Sequence, residues 1–511
     1  MFIVLSVMVF FERSRIITTY GFLKDNGNGT WVIGNDVWNM TQDNIYGSKL
    51  YYKDKELVGK AAGHYVSYNG AASNLNWTSA KMVKTGSNYI DVQFDATEGD
   101  MHWAIFNGLA GSYHAYNADK DGVLPPLSEY AVSTKIQDET WKTPEGGYLT
   151  KQHPGKDYFN GDHLKQELMA GDIVLDRDTV QLNMIHGTQF QALLNDVLPK
   201  GKIWGPRLWY LNDVDKTDVA PQYSNEVNSW PYKWLNDVAH QFRIASLTGK
   251  LVLSDGRPAA GAAVFLGDNH PNKTNLDMGS NYHYTTYADN DGSFRFTDVR
   301  TGVCALQAWS NGGSIGDVTT TYLKNDIEVS GSSTTRVRLD KLSWSVPTSN
   351  RIFQIGDFDR RSTGFAYSGG FGAGRVDNCS ANLTYTVGNS EDSDWCFAQN
   401  VIGTSRIAFA LPASNATSDA LLTVSLAGYS QGTTVNIFAN DVRIGNLSSS
   451  GIPSDPSLYR SGTVAGEWHQ FEFSIDGGTL KARNSIDFRV TSLSSSLWRG
   501  PIYDAIKLEW I

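Results

Sequence analysis

The sequence predicts an all-β chain of stacked antiparallel sheets, and three observations carry that prediction. Segments in which apolar and polar residues alternate recur along the whole length: NYIDVQFDA, TVQLNM, KLVLSDG, FRFTDV, RIAFAL, LLTVSLAG, TTVNIFAN, FEFSID and SIDFRVTS. A period of two puts successive side chains on opposite faces, which suits a strand with one face buried. Gly, Asn, Asp and Ser punctuate these segments, and those residues favour turns. Sustained helical periodicity is scarce, and a short piece around Trp230 to Ile244 is the candidate helix. Parallel α/β architectures, which interleave helices with strands, are therefore disfavoured.

The elements fall into groups. A chain of 511 residues exceeds a single hydrophobic core, so two to four domains are expected. Residues 1–20 begin with MFIVLSVMVFFERSR, an apolar run of signal-peptide length that lacks a basic start and a small-residue cleavage site. They read as a degraded signal or an artefactual start, and the run is too short to span a bilayer. Alternating strands fill 21–243. Near Ala245 the texture changes, and SLTGKLVLSDGRPAAGAAVFLGDN reads as strand, turn, strand, so a compact β-sandwich is expected over 244–342. LSWSVPTSN then looks like a linker, and a third region over 343–511 opens with RIFQIGDFDRRSTGF and continues in evenly spaced strands, the density of a jelly roll.

Composition narrows the function. Hydrophobic residues are 41% and charged residues 19%, which excludes a disordered chain. Aromatics reach 12%, with 15 Trp and 24 Tyr; such rings suit sugar faces, though large β-sandwich cores use them as well. A net charge of -10 without a long basic run disfavours nucleic acid and anionic membrane surfaces as partners. Positive charge is instead concentrated locally: YLTKQHPGKDYFNGDHLKQEL gathers Lys151, His153, Lys156, His163 and Lys165, a patch fitted to a polyanion. Three cysteines do not make a disulfide scaffold, but Cys379 and Cys396 are close enough in sequence to bridge, leaving Cys304 in an apolar strand. Eight N-x-S/T sequons, at Asn28, Asn39, Asn76, Asn272, Asn378, Asn382, Asn415 and Asn446, are compatible with a secreted glycoprotein.

The succession GNGTWVIGNDVWNMTQ, LVGKAAGHYVSYNGA, ATEGDMHW, LPPLSEYAVSTKIQDETW, YLTK, GKDYFNGDHLKQELM, VQLNMIHG, WGPRLWYLND and SDGRPAAGAAVFLGDN resembles fungal rhamnogalacturonan lyases of polysaccharide lyase family 4. The resemblance runs from about Gly21 to the C-terminus. It implies a catalytic β-sandwich, a fibronectin-III-like middle domain and a carbohydrate-binding-module-like jelly roll, in a secreted, monomeric protein. It also implies an endolyase that cuts the rhamnose-α-1,4-galacturonate bond of pectin rhamnogalacturonan I by β-elimination, with no cofactor required for catalysis. Removing the C5 proton beside a carboxylate builds negative charge, so such a site needs a cation, a base and an acid for the departing O4. The family's proposed base and proton donor map to Lys151 in YLTK and His186 in NMIHG. A lysine is almost wholly protonated at neutral pH unless burial or neighbouring cations lower its pKa, and Lys156 and Lys165 are candidates for that effect. Lys165 is also placed with Trp204, Arg207 and Tyr210 of WGPRLWYLND in substrate binding, the arginine meeting a uronate carboxylate with two donors.

Plainer readings stand beside these. An isolated lysine is usually a solvated charge, a histidine ending an apolar strand is usually a hydrogen-bonded core residue, and Trp204, Trp209 and Tyr210 serve core packing equally well. Asp357 and Asp359 of GDFDRR either help hold a structural calcium, as in related jelly rolls, or form a turn of solvated acids. The spacing of His153, Asp157, Asp162 and His163 matches no familiar metal template. The chain also departs from the family: segments after YLTK and after AGSYHAYNADKDG are shorter, and no Arg occurs between Arg15 and Arg177. A catalytically impaired pectin-binding homologue is therefore the alternative. A glycoside hydrolase using Glu167 and Asp172 ranks last, since nothing orients that pair.

Overall fold

The computed structural model describes residues 20–53, 55–59, 63–68, 76–97, 99–118, 130–137, 172–176, 179–183, 203–211, 219–229, 232–235, 243–268, 283–330, 336–348, 350–368, 378–412, 418–430, 432–452, 464–465, 468–495 and 499–511. Thirty strands and one α-helix dominate these residues.

The N-terminal unit holds β1 (Phe22–Asp25), β2 (Trp31–Gly34), β3 (Trp38–Gln42), β4 (Gly47–Tyr52), β5 (Lys55–Glu56), β6 (Gly63–Tyr68), β7 (Ser79–Thr85), β8 (Tyr89–Asp95), β9 (Gly99–Phe106), β10 (Gly111–Ala118), β11 (Tyr130–Gln137), β12 (Asp172–Asp176), β13 (Thr179–Asn183) and β14 (Ile203–Tyr210). They form two sheets. One runs β1-β2-β3-β4-β6-β11-β13-β12 with β5 beside β4; the other runs β14-β10-β9-β8-β7. The alternation seen in NYIDVQFDA is realised in β8, where the fully buried Val92 and Phe94 face the core. Helix α1 (Val219–Ser229) follows, with Pro221 in its first turn, where a missing N–H costs nothing. The sequence pattern points to Trp230–Ile244 instead. Val219–Ser229 reads VAPQYSNEVNS, too polar to show a helical stripe, and β15 has begun by Arg243.

The middle unit comprises β15 (Arg243–Leu253), β16 (Ala263–Asp268), β17 (His283–Tyr287), β18 (Ser293–Arg300), β19 (Gly302–Trp309), β20 (Tyr322–Val329) and β21 (Arg336–Trp344). Sheets β18-β15-β21 and β17-β16-β19-β20 enclose Leu247, Leu251, Val264, Leu266, Phe294, Phe296, Leu306 and Trp344. The C-terminal unit adds β22 (Asn350–Ile355), β23 (Asn382–Thr386), β24 (Gly403–Ala410), β25 (Ala420–Ser430), β26 (Thr434–Ala439), β27 (Val442–Leu447), β28 (His469–Ile475), β29 (Arg483–Ser492) and β30 (Gly500–Trp510). Sheets β22-β30-β25-β28 and β23-β24-β29-β26-β27 close over a core that includes Leu422, Val424, Ile437, Ile486, Phe488 and Ile506. The all-β prediction holds, and among the named strands two pairs depart from antiparallel pairing: β15 with β21, and β23 with β24, run parallel.

Cys379 and Cys396 are bonded, with Cα atoms 5.9 Å apart, and Cys304 is a buried thiol in β19. The bridge ties the start of β23 to the turn that carries Trp395, a fully buried ring packed edge-on against Phe488 and Tyr503.

Candidate functional site

Lys151, Lys165 and His186 lie outside the described residues, so the site is built from the strands that lead to them. β13 ends at Asn183, three residues before His186. Its neighbours are registered: Leu182 lies opposite Thr134 of β11, and Thr134 lies opposite His64 of β6. A row across three strands therefore joins the strand preceding the candidate donor to a buried imidazole.

That imidazole meets a second one from the facing sheet. His64 and His114 of β10 have ring centroids 5.4 Å apart, with Trp103 of β9 at 4.7 Å from His64 and 3.9 Å from His114. Trp209 lies 5.6 Å from His114 and 5.6 Å from Trp38, whose indole N–H donates to the Gly111 carbonyl at 3.0 Å. His114 Nε2 is 2.9 Å from Ser112 Oγ, so its own strand helps fix the ring. The approach of β10 to β14 depends on Gly111, at φ 146°, because an added Cβ would fall 2.0 Å from the Trp209 carbonyl. Gly47 has a matching role, since its Cβ would lie 2.9 Å from that of His64.

Strand β14 carries three of the sequence candidates. Arg207 is registered opposite His114, Trp204 opposite Tyr116 and Tyr210 opposite Gly111. Only the backbone of Trp204 and Arg207 is described; Tyr210 is half-buried, and Trp209 takes the core reading in the His–Trp cluster.

The other face of the same sheet has a polar half and an aromatic half. In the polar half, His102 Nδ1 sits 3.1 Å from both oxygens of Asp91. Burial would raise Asp95, but a shared hydrogen bond with the Asp100 carboxyl and those donated by Lys81, Ser79 and Gln93 outweigh it and hold its pKa down at about 2. In the aromatic half, Tyr89, Phe106, Tyr113, Tyr232 and Trp234 pack ring on ring, and two of them, Tyr113 and Tyr232, hold the carboxylate of Glu226 of α1. Tyr113 and Gln222 donate to its Oε1 at 2.9 and 2.7 Å, and Tyr232 donates to Oε2. Burial raises the Glu226 pKa against the pull of those donors, and burial beside that carboxylate also raises Tyr113. Glu226 thus clamps α1 to the sheet. Sequence reading missed His64, His114 and Glu226: GHYVSY and GSYHAYNA set aromatics on both faces, so alternation gave no sign of which was inward.

Asp357 and Asp359 do not share one task. Asp357 Oδ2 accepts the Gly313 N–H at 2.9 Å. Asp359 lies beside Asp504 of β30, and burial pushes Asp359 up to about 6; burial and the Asp359 charge raise Asp504 further. Asp504 Oδ1 accepts the N–H groups of Asp359 and Arg361 at 3.1 and 3.0 Å, and Oδ2 accepts the Ser425 hydroxyl. Among the described residues no group of three His, Cys, Asp or Glu converges as cation ligands.

Fold and cluster define a three-unit β-sandwich protein whose aromatic-rich N-terminal unit is followed by two smaller sandwiches. Residues 254–337 match polysaccharide lyase family 4, domain II, and residues 351–508 match polysaccharide lyase family 4, domain III. Over 434 residues, 76% of this chain and 68% of the relative, it is 26% identical to rhamnogalacturonate lyase of Dickeya dadantii (strain 3937). Over 241 residues it is 28% identical to rhamnogalacturonate lyase A of Emericella nidulans, covering 44% of this chain and 42% of that protein. The chain therefore resembles rhamnogalacturonan lyases of polysaccharide lyase family 4, and the similarity extends further along the bacterial relative than along the fungal one. Of solved structures, a family 35 carbohydrate binding module from Clostridium thermocellum covers 20% of this chain and 68% of its own at 14% identity and a TM-score of 0.14, too slight a likeness to carry an argument.

Proposed function

We propose that the chain is a secreted rhamnogalacturonan endolyase acting on the rhamnose-α-1,4-galacturonate bond of pectin. The observation that supports this most is the similarity to a rhamnogalacturonate lyase across 76% of the chain. In the proposed step the Lys151 amine takes the C5 proton of galacturonate. The C5–H electron pair becomes the C4=C5 double bond, the C4–O4 bond breaks, and His186 protonates the leaving rhamnosyl oxygen. Atoms balance without water. Arg207 and Lys165 offset the charge that gathers on the uronate carboxylate, and electrostatic stabilisation of that kind often contributes more to catalysis than any other single effect. The His64–Trp103–His114 cluster is the rigid support behind β13 and β14.

One observation favours a second reading. The chain carries no arginine between Arg15 and Arg177, so a binding cation the family resemblance implies has no counterpart there. A pectin-binding homologue with impaired catalysis would keep affinity for rhamnogalacturonan I and release no product.

Purified protein incubated with de-esterified rhamnogalacturonan I should show rising ultraviolet absorbance from the unsaturated uronate. Lys151→Ala and His186→Ala should each lower that rate roughly 10²- to 10⁴-fold, the contribution of a positioned acid or base. A folded wild-type protein that binds the polymer without any rise supports the second reading and rejects the first.

A further inference from the structure

The sequence places a linker, LSWSVPTSN, between the middle and C-terminal units, and linkers ordinarily leave neighbouring domains free to move. Here the two units are fastened. Residues 354–361, the end of β22 and the turn after it, lie against residues 310–316, following β19. The Phe358 N–H donates to the Gly316 carbonyl at 2.9 Å, and Gln354 Nε2 reaches the same carbonyl at 3.0 Å. The Gly313 N–H returns to Asp357. A Cβ on Gly316 would lie 2.2 Å from Asp357 Oδ1, so a side chain there would have to push the Asp357 carboxylate from its place.

Arg360 completes the junction. Its guanidinium carbon sits 4.4 Å from the ring centroid of Trp309, at the end of β19, and 4.0 Å from that of Trp468, just before β28. One ring belongs to each unit, and one cation is stacked between them. Arg360 Nη2 also donates to Thr321 Oγ1 at 2.7 Å, and Arg361 Nη2 donates to the Tyr287 hydroxyl at 3.2 Å. A planar guanidinium can lie flat on two rings at once, whereas a lysine ammonium cannot. Arg360 holds this position at φ 65°, a conformation costly for any residue but glycine. Such strain persists where the surroundings over-determine it, as the two backbone N–H bonds onto Asp504 do on either side of Arg360.

We propose that the middle and C-terminal units form one rigid arm, pinned by Arg360 between Trp309 and Trp468, so that the linker does not act as a hinge. The proposal is independent of the lyase reading, because no residue of the N-terminal unit takes part.

Hydrogen exchange on the full chain tests it. Arg360→Ala and Arg360→Lys should each speed exchange about tenfold in both 310–316 and 357–361, while the core strands β19 and β25 keep wild-type protection. Trp309→Leu, which removes the pin from the other side, should open the same two segments together. The proposal is overturned if Arg360→Ala leaves both segments at wild-type exchange, or if Trp309→Leu opens 310–316 and leaves 357–361 protected. Should Arg360→Ala fail to fold, the Trp309→Leu result decides alone.

Discussion

Between the sheets of the C-terminal unit lie Leu422, Val424, Ile437, Ile486, Phe488 and Ile506, all apolar and fully buried, whereas the N-terminal sandwich sets two imidazoles, His64 and His114, among Trp38, Trp103 and Trp209. A buried polar ring costs free energy unless its nitrogens are satisfied, so an aliphatic core is the easier route to stability. The C-terminal unit packs such apolar side chains between its sheets and satisfies its buried charges with partners, Lys507 with Glu509 at 2.9 Å and Asp504 with the Ser425 hydroxyl. The N-terminal unit instead sets two polar rings among tryptophans, on β6 and β10, and β6 is joined through β11 to β13, the strand that precedes His186.

Substitutions can break this comparison. Trp103 touches both imidazoles and both neighbouring tryptophans, so Trp103→Ala should cost roughly 3–5 kcal/mol in denaturant unfolding of the N-terminal unit. Leu422→Ala, in the apolar core of the C-terminal unit, should cost roughly 2–4 kcal/mol and leave the proposed lyase activity at the wild-type rate. If Leu422→Ala also abolished activity, the division of labour between the units would be wrong. Replacing both Cys379 and Cys396 by Ser opens a bridge with a sequence separation of 17 and should lower the stability of the C-terminal unit by about 3 kcal/mol, read from its thermal midpoint.

The smallest effect sharpens the comparison through pH. The folded pKa of Glu226 is raised, so the folded state binds its proton more tightly than the unfolded chain does. Its contribution is therefore fully present below the ordinary carboxylate range and is lost as pH rises through the raised value. Glu226→Gln should remove that part of the pH slope, flattening unfolding curves compared between acidic and neutral buffer. An unchanged slope would mean that the clamp on α1 does not titrate.

How much of this was legible in the sequence differs by element. TTVNIFAN and SIDFRVTS became β26 and β29 because strict alternation leaves one solution for which face is buried. Helix α1 was displaced because its side chains are mostly polar and its attachment rests on one carboxylate that finds Tyr113 from another strand. The junction was invisible for a similar reason. Trp309, Arg360 and Trp468 lie far apart in the chain, and each alone reads as an ordinary surface or core residue. GDFDRR reads from sequence either as part of a calcium site or as a turn of solvated acids, and neither reading shows that Asp357 accepts a backbone N–H or that the two arginines contact the middle unit. The lysine and imidazole assigned to catalysis came from resemblance to a family, since no local pattern distinguishes a base from a solvated charge.

The most direct measurement of the chemistry is mass spectrometry of rhamnogalacturonan I fragments released in heavy-oxygen water. β-Elimination predicts fragments ending in an unsaturated uronate, lighter by one water than hydrolysis products, with no heavy oxygen incorporated at the cleavage site. Saturated fragments carrying heavy oxygen would contradict it and assign the cleavage to hydrolysis.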